Sequence, residues 1–331
     1  AEHSLLLLLE HLDRDRFVPI LACNPGPLAD AAQKLGIRVE VVPMPRLRKE
    51  VAAPWRLEQG VRALSRLIRR EQVDLVHSNV MRASFYAALA AQFTGRPLVW
   101  HVRDILKPGA YVRWMSRRAA ATIAISEATA APLPQIVYIV PNGVDVADFD
   151  LPLEAREAAR QAVRHSLGIP ASAPVVGMVG RLRPWKGQRD FIRAMALVRD
   201  HHPQARFLLV GGAIFGGEEG YQAELEKLSR ELGLEDVLLF AGQREDLPSV
   251  MAAMDVLVHC SVEPEPFGRV MIEGMAARLP VVAYQHGGAG EIVVPGETGL
   301  LVPARDVQAL GEAVATLLMD RQLGERLGTA G

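Results

Sequence analysis

The stretch Glu263-Pro264-Glu265-Pro266-Phe267-Gly268-Arg269-Val270-Met271-Ile272-Glu273-Gly274-Met275-Ala276 decides how the rest of the chain is read. It follows a short apolar run, Val256-Leu257-Val258, and precedes another, Pro280-Val281-Val282-Ala283. Glu265 stands between two prolines, and a residue before proline is pushed to extended backbone. Gly268 lets backbone come close to a ligand, and a helix can start just after it. Glu273 then falls inside that helix, among Val270, Met271, Ile272, Met275 and Ala276. A carboxylate in such company is costly unless something hydrogen-bonds it. A sugar diol can do so, with two hydroxyls for two carboxylate oxygens, and the helix start favours an anion such as a diphosphate. The plainer reading of the same residues is a buried helix with one paired glutamate.

Outward from this stretch, short β-rich runs alternate with helical ones, which predicts parallel sheets with covered faces. Strands are expected at Phe17–Cys23, Arg38–Val42, Val73–His77, Pro97–His101, Thr122–Ile125 and Ile136–Val140. A helix at Ser4–Leu12, with Ser4 as its cap, precedes them, and between them fall helices such as Pro54–Glu71, Met81–Phe93 and Ala110–Ala120. Pro141-Asn142-Gly143-Val144-Asp145 is turn chemistry at a boundary. The charged helical segment Glu154–Leu167 and the loop Pro170–Pro174 are read as the hinge. A second series then runs through strands at Val175–Val179, Arg206–Val210, Val237–Phe240, Val256–His259, Val281–Ala283 and Gly299–Val302. The expected fold is α/β: two Rossmann-like, doubly wound parallel-sheet domains, 1–150 and 151–331, with a ligand in the cleft between them.

Several strand ends carry chemistry. Gly180-Arg181-Leu182-Arg183-Pro184-Trp185-Lys186-Gly187 follows the first strand of the second series. Arg181 offers a planar fork of donors to a diphosphate, and Lys186 a point charge. Gly287-Gly288-Ala289-Gly290-Glu291-Ile292 sets glycines after a strand and before a helix, the chemistry of a phosphate nest or of a plain turn. His101 ends a strand in Trp100-His101-Val102-Arg103-Asp104, and His77-Ser78-Asn79 ends the strand before it; such ends bear sites in this architecture.

Together these motifs resemble retaining glycosyltransferases with the GT-B fold, of the family 4 type (glycosyl transferases group 1). Glu265 and Glu273, with Phe267-Gly268 between them, match the Glu-x7-Glu signature. Residues 180–187 match Gly-Arg-Leu-x-x-x-Lys-Gly, residues 287–292 match Gly-Gly-x-x-Glu-Ile, and residues 141–145 match Pro-Asn-Gly-Val-Asp. The resemblance implies a donor site on the second domain. Glu265 then lies against the donor sugar as a catalytic residue, and Glu273 holds the ribose. Arg181, Lys186 and Gly268 bind the diphosphate, while Gly287, Gly288 and Glu291 form a sugar and phosphate loop. His101 faces the donor sugar as a second catalytic residue. His77, Asn79 and Arg103 are acceptor-side candidates, although the family often has histidine where Asn79 stands. The family's usual Gly-Gly-x-Glu turn and first strand are missing before Ala1-Glu2, as is its C-terminal crossing helix, so truncation at both ends is expected. The implied chemistry is metal-independent and needs no cofactor beyond the donor, a UDP- or GDP-linked sugar.

Composition sets bounds on the rest. With 331 residues, half of them hydrophobic, the chain has room for two cores. A net charge of −1 argues against nucleic acid as a partner. Residues 1–150 nevertheless carry 19 basic against 15 acidic side chains, and the remainder 18 against 23. The excess concentrates between Arg38 and Arg70 and between Arg103 and Arg118, which fits an anionic membrane surface or a phosphate-bearing acceptor as well as it fits a solvated helix face. The expected acceptor is a glycan or a lipid-linked, cell-envelope molecule, and the expected location is cytoplasmic, at the inner face of the plasma membrane. Cys23 and Cys260 imply no disulfide framework, and the five leucines from Leu5 to Leu9 fall far short of a membrane span.

Other motifs weigh little. Gly211-Gly212 and Gly216-Gly217 lack the G-x-G-x-x-G spacing of NAD binding. Asp148-Phe149-Asp150 is a D-x-D string in a linker, and His201-His202 has no further ligand in metal spacing. Two rivals to transfer remain: a GT-B-type UDP-sugar 2-epimerase, and a nucleotide-sugar-binding protein without turnover.

Overall fold

The computed structural model describes residues 2–45, 54–212 and 220–331. Ala1, residues 46–53 of the basic stretch and the pair Gly216-Gly217 lie outside the described residues. The chain divides into two compact units, Ala1–Gly143 and Val144–Gly331.

In the first unit, strands β1 (Ile20–Cys23) and β2 (Arg38–Val41) pair in parallel. The leucine-rich helix Glu2–Glu10 covers them, with Leu9 buried against Ala32 and Ile37. Ser4 does not cap this helix. It lies inside it, and its buried hydroxyl has no partner. The first strand is shorter than expected: Phe17 is tied by its amide to Asp13, and Val18 is exposed. A second parallel sheet has the order β3 (Val76–Ser78), β4 (Leu98–Val102), β5 (Ala121–Ala124), β6 (Tyr138–Ile139). Helices Pro54–Arg70 and Met81–Thr94 pack on it through Val61, Leu64 and Ile68, the apolar face of a 3.6-residue period, meeting Tyr86, Leu98 and Trp100. The helix expected over 110–120 stops at Ser116, where Arg117 caps it and the chain turns into the next strand.

The second unit is one six-stranded, all-parallel sheet. Its strands are β7 (Val175–Val179), β8 (Arg206–Val210), β9 (Leu238–Gly242), β10 (Val256–His259), β11 (Val281–Tyr284) and β12 (Gly299–Val302), in the spatial order β12-β11-β10-β7-β8-β9. This is the doubly wound order, and it reverses between β7 and β10. Both faces are covered, as unbroken apolar strands require. Val176, Met178, Phe207 and Leu209 point into one core, and the alternate residues Val175, Leu208 and Val210 into the other. Helix Leu153–Ser166, which reads as a charged segment with no partner strand, belongs to this unit. Its buried Arg164 donates to the carbonyls of Ala171, Ala173 and Ala253 and to Asp255, which also accepts from Arg160 and from the Val175 amide. No described helix is long and apolar enough to cross a membrane.

Candidate active site

The reversal of strand order falls between β7 and β10, and the carboxyl ends of such strands are where doubly wound sheets bind ligands. The loops from these two strands are tied together there. The Val262 amide donates to the Trp185 carbonyl at 2.8 Å, and the Cys260 thiol to the Gly187 carbonyl at 3.3 Å. Lys186 stands over the Trp185 ring and reaches Glu265, with Nζ 2.6 Å from Oε2. Ser261 Oγ donates to the same oxygen at 2.9 Å, and His259 Nε2 lies 3.5 Å from it. All these contacts fall on Oε2, and none falls on Oε1. Glu265 is 8% exposed. Burial alone would push its carboxyl up, but the His259 hydrogen bond and the Lys186 charge outweigh it and hold the pKa down at about 2. The site thus presents a fixed carboxylate with one oxygen occupied and one open.

Gly268 starts the signature helix Arg269–Ala276 from a left-handed φ of 95°, where any side chain would be strained and would meet Met271. No side chain caps this end, so its first amides can face an anion. One turn on, Glu273 is buried and accepts from Arg269 Nη2 at 2.7 Å through Oε1. The paired glutamate of the plainer reading is therefore present, and its second oxygen has no such contact. Gly287, at a φ of 59°, and Gly288 pack directly on the backbone of Glu265, Pro266 and Phe267, and the Gly288 amide donates to the Glu265 carbonyl at 2.8 Å. The glycine pair acts first as a seat for the Glu265 loop. Glu291 follows, exposed, in the short helix Ala289–Ile292. Arg181 is exposed on the turn after β7, and the buried Gln188 holds its carbonyl at 2.8 Å.

The first unit has its own strand-end cluster. His77 and His101 stack with ring centroids 5.3 Å apart, and Nε2 of His77 is 3.1 Å from Nδ1 of His101. Arg103 donates to Asn79 Oδ1 at 2.7 Å and to Asn142 Oδ1 at 2.5 Å. The structure therefore joins His77 with His101, and Asn79 with Arg103. Burial, then the charge of Arg103, lowers both histidines, His101 to about 3.

Sequence reasoning missed His259 and Ser261. The available signal was their position: polar residues two apart at the carboxyl end of the strand beside the switch point, facing the same way by the strand's period of two. The other motifs have structural uses. Asp150 binds Arg278 in a bidentate pair, and Asp145 caps helix Val146–Phe149. Cys23 and Cys260 are both free and buried, and among the described residues no group of three or more His, Cys, Asp or Glu could hold a metal ion.

Residues 159–331 match the family model for glycosyl transferases group 1, and residues 1–148 the model for glycosyltransferase family 4. The D-inositol 3-phosphate glycosyltransferase of Corynebacterium urealyticum is 37% identical over 188 residues, 56% of this chain and 43% of that protein, so the match spans under half of that relative. The 2-deoxystreptamine N-acetyl-D-glucosaminyltransferase of Streptomyces fradiae is 32% identical over 333 residues, covering 90% of this chain and 77% of the relative. Among solved structures, HepE from Anabaena in complex with UDP and glucose is similar at a TM-score of 0.84 and 32% identity, over 99% of this chain and 89% of that one. On these matches the chain belongs to the glycosyl transferases group 1 family and has the GT-B fold, with a family 4 N-terminal half.

Proposed function

We propose that this chain moves a sugar from a UDP-linked donor to a hydroxyl of a glycan or lipid-linked acceptor, with retention at the anomeric carbon. The observation that carries this reading is the Lys186–Glu265 pair at the switch point, with one carboxylate oxygen open. Glu265 Oε1 meets the hydroxyls of the donor sugar, and the free oxygen of Glu273 takes the ribose diol. Lys186, Arg181 and the helix start after Gly268 take up charge as the diphosphate leaves. The bond from the anomeric carbon to the diphosphate breaks, the acceptor oxygen bonds to the same face, and the acceptor's proton passes to an oxygen of the departing UDP. HepE, solved with UDP and glucose, supports uridine over guanosine. The relatives are named as glycosyltransferases of polyhydroxylated rings, which supports transfer to a hydroxyl and not epimerisation.

Exposed Arg56, Arg62 and Arg66 on helix Pro54–Arg70, beside an exposed Trp55, support peripheral contact with an anionic membrane at the cytoplasmic face. The test of function is a UDP-release assay with UDP-glucose and UDP-N-acetylglucosamine, run with and without a panel of polyol, glycan and lipid-linked acceptors. Acceptor-dependent release with an α-linked product is expected. Release without an acceptor, accompanied by a C2-epimerised sugar, would replace this reading with the epimerase.

A further inference from the structure

The register of β3 and β4 sets His77 opposite Val99, so His101, two residues further on, shares the same face of the sheet. The two imidazoles come within hydrogen-bond distance there, Nε2 of His77 to Nδ1 of His101 at 3.1 Å. His77 is exposed, whereas His101 is only 8% exposed, and its remaining nitrogen, Nε2, is buried without a hydrogen-bond partner. Both rings are lowered from the ordinary imidazole value, His101 by its burial and His77 by the part of its ring packed against the protein, with a further push from Arg103, whose guanidinium is fixed between Asn79 and Asn142.

A hydrogen bond between two neutral imidazoles uses one N–H and one lone pair, so only two arrangements exist. If His77 donated, His101 would carry its proton on Nε2, and a buried N–H would be left with no acceptor. If His101 donates from Nδ1, its Nε2 is a bare lone pair, and His77 carries its own proton on Nδ1. A buried orphan N–H is rarer than an under-used acceptor. The second arrangement is therefore favoured. We infer that His77 is a positioning residue: it accepts from His101 Nδ1–H and so fixes His101 as the tautomer that carries a lone pair, not a proton, on its buried Nε2. The part His101 plays in turnover rests on the transfer reading; the tautomer does not. The sequence gives His77 an acceptor-side place, whereas the geometry gives it a role acting through His101.

The test is a long-range proton–nitrogen NMR spectrum of the ligand-free, nitrogen-15-labelled protein at neutral pH, with His101→Gln used to assign the signals. The wild type should show His101 protonated at Nδ1 and unprotonated at Nε2. His77→Ala should shift His101 to the Nε2–H form or a mixture. His77→Gln, whose amide oxygen can accept, should restore the Nδ1–H form. In turnover, His77→Ala should lower kcat about tenfold, the value of one hydrogen bond, with the donor KM unchanged and recovery in His77→Gln. An Nε2–H His101 in the wild type, or a His101 tautomer indifferent to His77→Ala, would overturn the assignment. If no variant, wild type included, transfers sugar, the transfer reading fails while the spectrum still decides the tautomer.

Discussion

The two strand-end clusters bury polar groups in opposite ways. In the second unit Glu265 is kept charged: a cation, a hydroxyl and an imidazole converge on one carboxylate oxygen. In the first unit His101 is kept neutral by its burial first, with a cation, Arg103, near enough to oppose its protonation further. A charge removed from water must be paired, whereas a neutral ring can stay buried with an empty lone pair. Four experiments bear on this contrast.

The largest effect on turnover should come from Glu265→Gln, which keeps the shape but removes the charge. Transfer should fall by about a hundredfold or more, while UDP affinity stays within a fewfold. Unchanged turnover in a steady-state assay would remove Glu265 from the chemistry.

Next is Lys186→Met, which leaves Glu265 buried beside only neutral or weakly placed partners. Breaking a buried pair costs about 3–5 kcal/mol, so denaturant unfolding of the second unit should move to markedly lower midpoint. The side chains of Lys186 and Glu265 are 15% and 11% exposed, so little of this is screened by solvent. An unmoved midpoint would mean that the pair is not buried in solution.

Acid separates the two clusters by window. His101 has a folded pKa of about 3 against an ordinary value of 6.5, so the unfolded chain binds the extra proton and stability falls as pH drops from 6.5 toward 3. At pH 5 this amounts to about 2 kcal/mol. Glu265, at about 2 against 4.5, contributes stability that is complete above 4.5 and lost as pH falls toward 2. In pH-resolved thermal melts, His101→Gln should flatten the upper window and Glu265→Gln the lower. A flattening in the same window by both variants would erase the distinction.

Much of this was legible in the sequence. Unbroken apolar runs such as Val175–Val179 mark strands buried on both faces, and the motifs at 180–187 and 263–276 mark the ends of β7 and β10. The contacts that give these motifs their meaning were not legible, because they join residues far apart in the chain. Lys186 meets Glu265 across 79 positions, and His77 meets His101 across 24. Gly287 and Gly288 read as a phosphate loop, but only the fold shows them pressed on the Glu265 backbone, where a Cβ has no room. Local signals also misled where tertiary packing prevailed. Ser4 looks like a cap, yet the helix extends past it to Glu2, and the pattern over 110–120 runs beyond a helix that ends at Ser116.

The smallest of the four effects is the most direct test. The central claim is that the signature segment is a nucleotide-sugar donor site, with Glu273 on the ribose. Isothermal titration of UDP into the wild type and Glu273→Ala measures that contact without any acceptor. Loss of one hydrogen-bonded, mostly buried carboxylate should weaken UDP by about tenfold or more. UDP that fails to bind the wild type, or that binds both proteins equally well, would contradict the account.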